Sequence, residues 1–271
     1  MRKFIVAMGV LGILEISLVL YLTWWKEIFW NYVATKNIDG FIQYLIIFTM
    51  VALALCVIVA SATYMSTRAA IKWREILNSR AHIHKSSNIE NVNQRIQEDC
   101  SKYPDLVMTI GYGVARAIAY LVVFSIALCA QFSWVYLILI TGYAIIATGI
   151  ARGIGNPLIK LNYQAQQTEA TYRNRLSAPN FKECILIQLN LAKKLKHLQY
   201  FQSLYGQLGV VIPLLIIAPA YFTTGMLLGS LMQANSIMST ITDNLSYGIN
   251  NFDIYNKLLS CRKRLTELEI L

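Results

Sequence analysis

Three ionisable residues stand within stretches of this sequence that are otherwise apolar: Glu15, Arg116 and Asp243. Placing such a group in hydrocarbon costs roughly 2.5–3.5 kcal/mol on insertion scales, so it usually faces a partner or a water-filled cavity. Two interpretations stay open. Arg116 could form a structural ion pair with Glu15 or with Asp243, or the acids could carry protons or contact cargo in a cavity.

The two acids can be told apart by their distance from Arg116. Desolvation favours the neutral carboxyl group, whereas a nearby guanidinium favours the ionised one. An acid remote from Arg116 can therefore take up and release a proton, and a paired acid stays ionised and structural. We expect Glu15 to be the proton-coupling acid and Asp243 to line the cavity nearer the cargo.

The stretch around Asp243 carries one polar face. Its polar residues recur at spacings of three and four, which places them on one side of a helix. These residues are Ser236, Ser239, Thr240, Asp243, Tyr247 and Asn250. The opposite stripe is apolar and consists of Met238, Ile241, Leu245 and Phe252. Because lipid does not solvate a polar face, the pattern indicates a cavity wall, with polar helix packing as the alternative.

These residues belong to a chain with the composition of a membrane protein. Of its 271 residues, 56% are hydrophobic and 14% are charged, against about 25% charged in soluble domains. A helix needs about 20 apolar residues to cross the hydrocarbon. Six stretches qualify, and they are residues 4–25, 41–66, 106–130, 134–154, 208–224 and 226–249.

The sequence therefore predicts an all-α integral membrane fold with six transmembrane helices, forming a single transmembrane domain over residues 1–271. Two long polar connections, 68–104 and 155–205, are predicted to be helical loops in the cytoplasm. This layout is typical of an ABC-exporter-type transmembrane domain. Most of the 24 Lys and Arg residues lie on the side of these loops. The positive-inside rule then places both termini in the cytoplasm.

Enzyme and nucleic-acid functions find no support. The net charge is +10. Attraction of the basic segments to anionic lipid headgroups explains this charge without a nucleic-acid partner. The chain contains no G-x-x-x-x-G-K-S/T phosphate-binding loop, no H-E-x-x-H and no G-x-S-x-G. Five cysteines without a C-x-x-C pair indicate reduced thiols. We expect no catalytic residues, no metal site and no cofactor.

Several motifs resemble a known family. The stretches "WREILN" (Trp73–Asn78) and "IENVNQRIQED" (Ile89–Asp99) are similar to those that mark SbmA/BacA-type peptide transporters. "QAQQTEATYRNRL" (Gln164–Leu176) resembles the family's E-A-x-Y-R segment, and "WKEIFWN" (Trp25–Asn31) its W-x-x-x-F-Y-D/N motif. With the polar last span, the resemblance covers about residues 15–269.

The resemblance implies a homodimer in the bacterial inner membrane that imports peptides or peptide-like antibiotics, driven by the proton gradient. It carries over Glu98, Asp99 and Glu169 as matching family acids, while Glu15 lies in the corresponding span. Glu98 and Asp99 fall at the cytoplasmic end of the third span. In one interpretation they cap that helix in a surface turn, and Arg95 pairs with a carboxylate in the same turn or across the dimer. In the other, they line the cytoplasmic mouth of the cavity and exchange protons or bind cationic cargo.

Two alternatives to gradient-driven import remain. The chain could be the transmembrane subunit of an ABC transporter whose ATPase is a separate chain. It could also be a non-transporting membrane protein derived from this family. The expected partners are a second copy, a peptide or other hydrophilic cargo and the lipid bilayer, joined by an ATPase subunit in the first alternative.

Overall fold

In a computed structural model, the chain is described over residues 2–83, 92–150, 153 and 181–267. Over these ranges the protein is helical and contains no strand. The helices are α1 (Arg2–Ala34), α2 (Ile38–Ile83), α3 (Val92–Gln131), α4 (Trp134–Ile150), α5 (Phe181–Thr224), α6 (Leu228–Leu245), α7 (Tyr247–Asn250) and α8 (Phe252–Glu267). The predicted all-α class is confirmed.

Four helices are long and apolar enough to cross a membrane. The segments that qualify are Arg2–Ala34, Ile38–Arg80, Gln97–Gln131 and Ile185–Thr224. The apolar helix α4 is shorter, and α6 has 18 residues but carries the polar stripe. The chain is an integral membrane protein, and six spans stay a prediction.

The outer surface of these helices is apolar. Large hydrophobic side chains are widely exposed on it, including Ile13, Leu53 and Ile126, each more than 60% accessible. In water such a surface would carry a free-energy cost of about 25 cal/mol per Å². Lipid removes that cost, so the exposed face is the one a bilayer covers.

The first two helices form a hairpin held at its tip. Lys36 adopts a left-handed φ of 54° in the turn. The Asn37 side chain then accepts a hydrogen bond from the Gly40 backbone N–H at 3.0 Å, which caps the start of α2. Below the turn, the Trp25 indole donates to the Tyr44 carbonyl at 2.8 Å. These contacts fix the rotation of α1 about its axis near the tip.

Helix α1 extends past the predicted end of the first span. That span was predicted to end at residue 25, whereas the helix continues to Ala34. Lys26, Glu27 and Asn31 are consequently helical, with side chains set at fixed angles around α1. They were predicted to lie in a connection.

The start of α3 differs from the sequence-based expectation. Helix α3 begins at Val92, so Glu98 and Asp99 lie six and seven residues inside it. A helix cap bonds to the free N–H groups of the first turn, and both acids lie beyond that turn. The interpretation of this stretch as a turn that caps α3 is therefore wrong. Residues 154–180, which include Glu169, lie outside the described ranges.

The last predicted span is interrupted. Helix α6 ends at Leu245, and Ser246 has φ −86° and ψ 1°. A single turn, α7, precedes Asn251, whose φ is −109° and ψ 18°. The predicted stretch 226–249 is therefore divided at Ser246 into α6 and the start of α7, and Asn251 separates α7 from α8.

Two separate hydrophobic clusters hold the helices together. The larger, the membrane core, joins α1, α3, α4, α5 and α6 through buried residues such as Ile16, Phe124, Ile140, Ile217 and Met238. The smaller, the α8 cluster, consists of Leu77 from α2, Cys100 from α3, and Cys261 and Leu265 from α8. The α8 cluster draws on the ends of α2 and α3 that are predicted to be cytoplasmic.

Candidate functional site

Glu15 and Arg116 form an ion pair between α1 and α3. The Arg116 Nη1 lies 3.1 Å from Glu15 Oε1, and the Tyr120 hydroxyl donates to the same oxygen at 3.2 Å. The Glu15 side chain is 7% exposed, whereas that of Arg116 is 41% exposed. Arg116 also lies over the Tyr120 ring, 5.6 Å from its centroid. The carboxylate is thus buried with a cation and a hydroxyl donor.

Asp243 stands apart from this pair. Its side chain is exposed on α6, and within the described ranges no cation lies within ion-pair distance of it. Of the two pairings left open by the sequence, the structure contains Glu15 with Arg116. By the criterion that the acid remote from Arg116 carries the proton, the geometry favours Asp243 over Glu15.

A cavity of 420 Å³ lies beside the ion pair, between α1 and α3. Small residues make room for it, including Gly9 and Gly12 on α1 and Gly111 on α3. Arg116 and Tyr112 supply its polar groups. The Tyr112 hydroxyl is buried and has no hydrogen-bond partner among the residues that the structure describes. The cavity is largely apolar, with these two hydrogen-bond donors in its wall.

The predicted polar stripe of α6 turns away from the membrane core. Ala234, Ile237, Met238 and Ile241 are buried in that core. The stripe residues on α6 are half-buried or exposed, and they are Ser236, Ser239, Thr240 and Asp243. The remaining stripe residues, Tyr247 and Asn250, lie on α7, where Tyr247 donates to the Thr109 carbonyl at 3.4 Å. The exposed stripe residues Asp243 and Asn250 require a cavity or a second protein surface, because lipid does not solvate them.

A row of hydrogen bonds joins α1 to α6 near the hairpin tip. Lys26 Nζ donates to Ser236 Oγ at 2.7 Å, and Ser230 donates to the Glu27 carboxylate at 2.9 Å. The Gly229 backbone N–H donates to the Asn31 side chain at 2.9 Å. We call this row the α1–α6 seam, and it connects residues about 200 positions apart in the chain.

Gly229 permits the close approach on which the seam depends. A β-carbon at this position would overlap the Glu27 carbonyl oxygen and the Asn31 side chain. Of the seam residues, Ser236 belongs to the predicted polar stripe, whereas the others were not predicted, although "WKEIFWN" carries part of the family resemblance. The sequence signal for the seam is the pair of charged residues Lys26 and Glu27 directly after an apolar run. It indicates an interhelical contact only once α1 is known to continue through them.

The predicted cytoplasmic acids occupy different environments. Glu98 is exposed and pairs with Lys102 one turn later at 3.2 Å. Asp99 is 3% exposed. The Cys261 thiol of α8 lies 3.6 Å from both the backbone and a side-chain oxygen of Asp99. Glu98 can face solvent or cargo, while Asp99 contributes to docking α8.

Two further predicted residues have no described side-chain environment. Arg95 belongs to α3, but its side chain lies outside the described part, as does the whole of Glu169. Among the described side chains, no group of three His, Cys, Asp or Glu residues could hold a metal ion.

The chain is similar to proteins that are described as ABC transporters. The chain is 24% identical to the inner membrane ABC transporter ATP-binding protein YddA of Escherichia coli, over 95% of the chain and 54% of that protein. It is 28% identical to an uncharacterized ABC transporter ATP-binding protein of Haemophilus influenzae, over 84% of the chain and 46% of the relative. The chain thus spans about half the length of these relatives. The chain is also 23% identical to the chloroplastic ABC transporter D family member 2 of Arabidopsis thaliana, over 69% of the chain and 30% of that protein.

The model of the SbmA/BacA-like family matches residues 30–271, nearly the whole chain. The protein belongs to the SbmA/BacA-like family, and the resemblance that the motifs indicated is confirmed. Its relatives and its apolar helices together indicate an inner-membrane protein.

Proposed function

We propose that the protein imports peptides or peptide-like antibiotics across the bacterial inner membrane as a homodimer, driven by the proton gradient. The observation that carries the proposal is the polar stripe of α6 with Asp243, which is exposed and has no cation within ion-pair distance in the described ranges. Two copies placed with these stripes facing each other would enclose a polar path. The family match and the transporter relatives support transport itself.

In this mechanism the two intramembrane acids have separate roles. Asp243 takes up a proton where the path is open to the more acidic side and releases it on the other, because no guanidinium within the described ranges lies close enough to hold it ionised. The Glu15–Arg116 pair keeps α1 and α3 in register while the path alternates its opening. Such alternation is a relative motion of helix groups around a fixed site, as in other transporters.

The test is uptake of a fluorescently labelled cationic peptide into membrane vesicles with and without an imposed pH gradient. We expect gradient-dependent uptake by the wild type and loss of the gradient dependence in Asp243→Asn, with the protein still inserted. Ser239→Ala, one turn away on the same stripe, is the matched control and should keep the dependence. Uptake unaffected by the gradient in the wild type would contradict the proposal.

A second candidate follows from the relatives. Because they are described as ATP-binding and the chain spans about half their length, the helices could serve as the membrane part of an ATP-driven transporter with an ATPase partner. Uptake that requires ATP inside the vesicles, and that an added ionophore leaves intact, would favour this candidate.

A further inference from the structure

Lys26 is a cation in the α1–α6 seam that has no neutralising carboxylate among the residues that the structure describes. It lies in α1, within a segment long and apolar enough to span the membrane. Over the residues described, no carboxylate lies within ion-pair distance of it, and its one hydrogen-bond partner is the Ser236 hydroxyl. An ammonium has three N–H groups, so two of them are left for another acceptor.

A second unsatisfied donor lies on the same side of α6. Gln233 precedes Ser236 by three positions and follows Gly229 by four, which places all three on the face of α6 that meets α1. The Gln233 residue is 3% exposed, and its side-chain nitrogen is buried without a partner in the part of the chain that the structure describes. A buried amide nitrogen without a partner destabilises the fold unless something accepts from it.

The remaining polar groups of the seam are already occupied. The Glu27 carboxylate accepts from Ser230, and the Asn31 oxygen accepts from the Gly229 N–H. Within the described ranges, the Gln233 amide nitrogen therefore lacks an acceptor and Lys26 has only the neutral Ser236 hydroxyl, so a negatively charged group would complete both. Both Lys26 and Ser236 are only half-buried, so this part of the seam is open to the side where the polar stripe lies.

We propose that Lys26, Ser236 and Gln233 form a carboxylate-binding site that receives the C-terminal carboxylate of a peptide cargo. The ammonium donates to one carboxylate oxygen and the Gln233 amide to the other, while Ser236 holds the ammonium in place. The charge-assisted bond supplies most of the selectivity, because a C-terminal amide offers an acceptor without the negative charge.

The position of the site suits an early step of import. The seam lies near the α1–α2 hairpin tip, which is predicted to be extracytoplasmic, so cargo from outside would meet it first. The assignment of the carboxylate to a cargo peptide rests on the proposed function, whereas the existence of the site does not. Binding and uptake are therefore measured separately.

Binding is tested on the purified full chain in detergent with N-acetyl-dialanine and its C-terminal amide, by isothermal titration calorimetry. We expect the acid to bind at least about tenfold more tightly than the amide, a difference of about 1.4 kcal/mol. Lys26→Met should abolish that preference and Gln233→Leu should reduce it. Lys26→Arg, which keeps the positive charge, should retain most of it. Lys36→Met, a nearby exposed lysine, is the control and should keep the full preference.

The outcomes separate the two proposals. Equal binding of both probes, no binding of the acid, or a preference that survives Lys26→Met would overturn the carboxylate site, and the seam would then be structural only. Acid-selective binding that Lys26→Met abolishes, in a protein that takes up no peptide into vesicles, would support the site and overturn the proposed function. The thermal unfolding curve of Lys26→Met is the folding control. If it matches the wild-type curve, a lost preference for the acid is not caused by unfolding.

Discussion

The clearest residue-scale finding is that Arg116 is paired with Glu15, at 3.1 Å, and not with Asp243. The sequence shows that all three residues lie in apolar stretches, which was enough to predict an intramembrane ion pair or a cavity acid. It does not show which acid meets Arg116. That depends on the relative depth and rotation of α1, α3 and α6, which long-range packing determines.

We expect Glu15→Gln to destabilise the protein by about 1–3 kcal/mol, because the Arg116 guanidinium loses its buried charged partner. The partial exposure of Arg116 limits the effect, since water and headgroups solvate the free cation in part. The measurement is the thermal unfolding midpoint in mild detergent. Ser17→Ala, an exposed change nearby on α1, should leave the midpoint unchanged.

The pairing itself is tested by the double variant Glu15→Gln with Arg116→Gln. Removing both charges leaves no stranded cation, so we expect the unfolding midpoint to recover in part. If the losses of the two single variants simply add, Glu15 and Arg116 act independently and the pairing is not energetically coupled.

At the scale of helices, hydrophobicity predicted where the chain meets lipid better than where helices end. The apolar runs around 4–25 and 41–66 lie within α1 and α2, but both helices continue well beyond them. Backbone hydrogen bonding extends a helix into polar sequence, so Lys26 and Asn31 are helical without being apolar. Ser246 shows the converse, since α6 stops within a stretch that composition alone assigned to one span.

The seam between α1 and α6 depends on the missing side chain of Gly229. We expect Gly229→Ala to push the helices apart and lower stability by about 1–3 kcal/mol, as overpacking does in cores. Thermal unfolding measures the loss. Gly206→Ala is the matched control, because a β-carbon there meets nothing within 4 Å and helix propensity improves by about 0.5–1 kcal/mol. A Gly229→Ala variant as stable as Gly206→Ala would disprove the close contact.

Helix α8 is held to α2 and α3 by one fully buried leucine and the contacts around it. Removing that side chain in Leu265→Ala should cost about 2–5 kcal/mol and loosen α8. Reaction of the thiols with a maleimide reports this directly, since Cys100 and Cys261 are buried. We expect both to react faster in the variant than in Thr266→Ala, an exposed neighbour. Unchanged reactivity would mean that α8 stays docked without Leu265.

For the whole molecule, the outward polar stripe of α6 predicts a homodimer. A lone protomer would present Asp243 and its neighbours to lipid, which cannot solvate them. We expect mass photometry in mild detergent to show twice the 30.7 kDa chain mass. We also expect Asp243→Cys to form a disulfide-linked dimer on mild oxidation.

The matched control is Leu53→Cys, on the exposed apolar surface of α2, which should remain uncrosslinked. A strictly monomeric mass, or equal crosslinking at both positions, would count against a dimer joined through α6. The homodimer stays a prediction that rests on the polar stripe and the family resemblance, because the contact surface would belong to two chains and no property of one helix specifies its partner.

The α8 cluster also has a consequence for how the protein is made. Its residues come from α2, α3 and α8, so Leu77 and Cys100 leave the ribosome long before Cys261 and Leu265. The membrane helices must enter the bilayer while these ends of α2 and α3 still lack this covering. Completion of α8 is then the step that covers them, and we expect nascent chains stalled before it to expose an apolar surface that chaperones or proteases recognise.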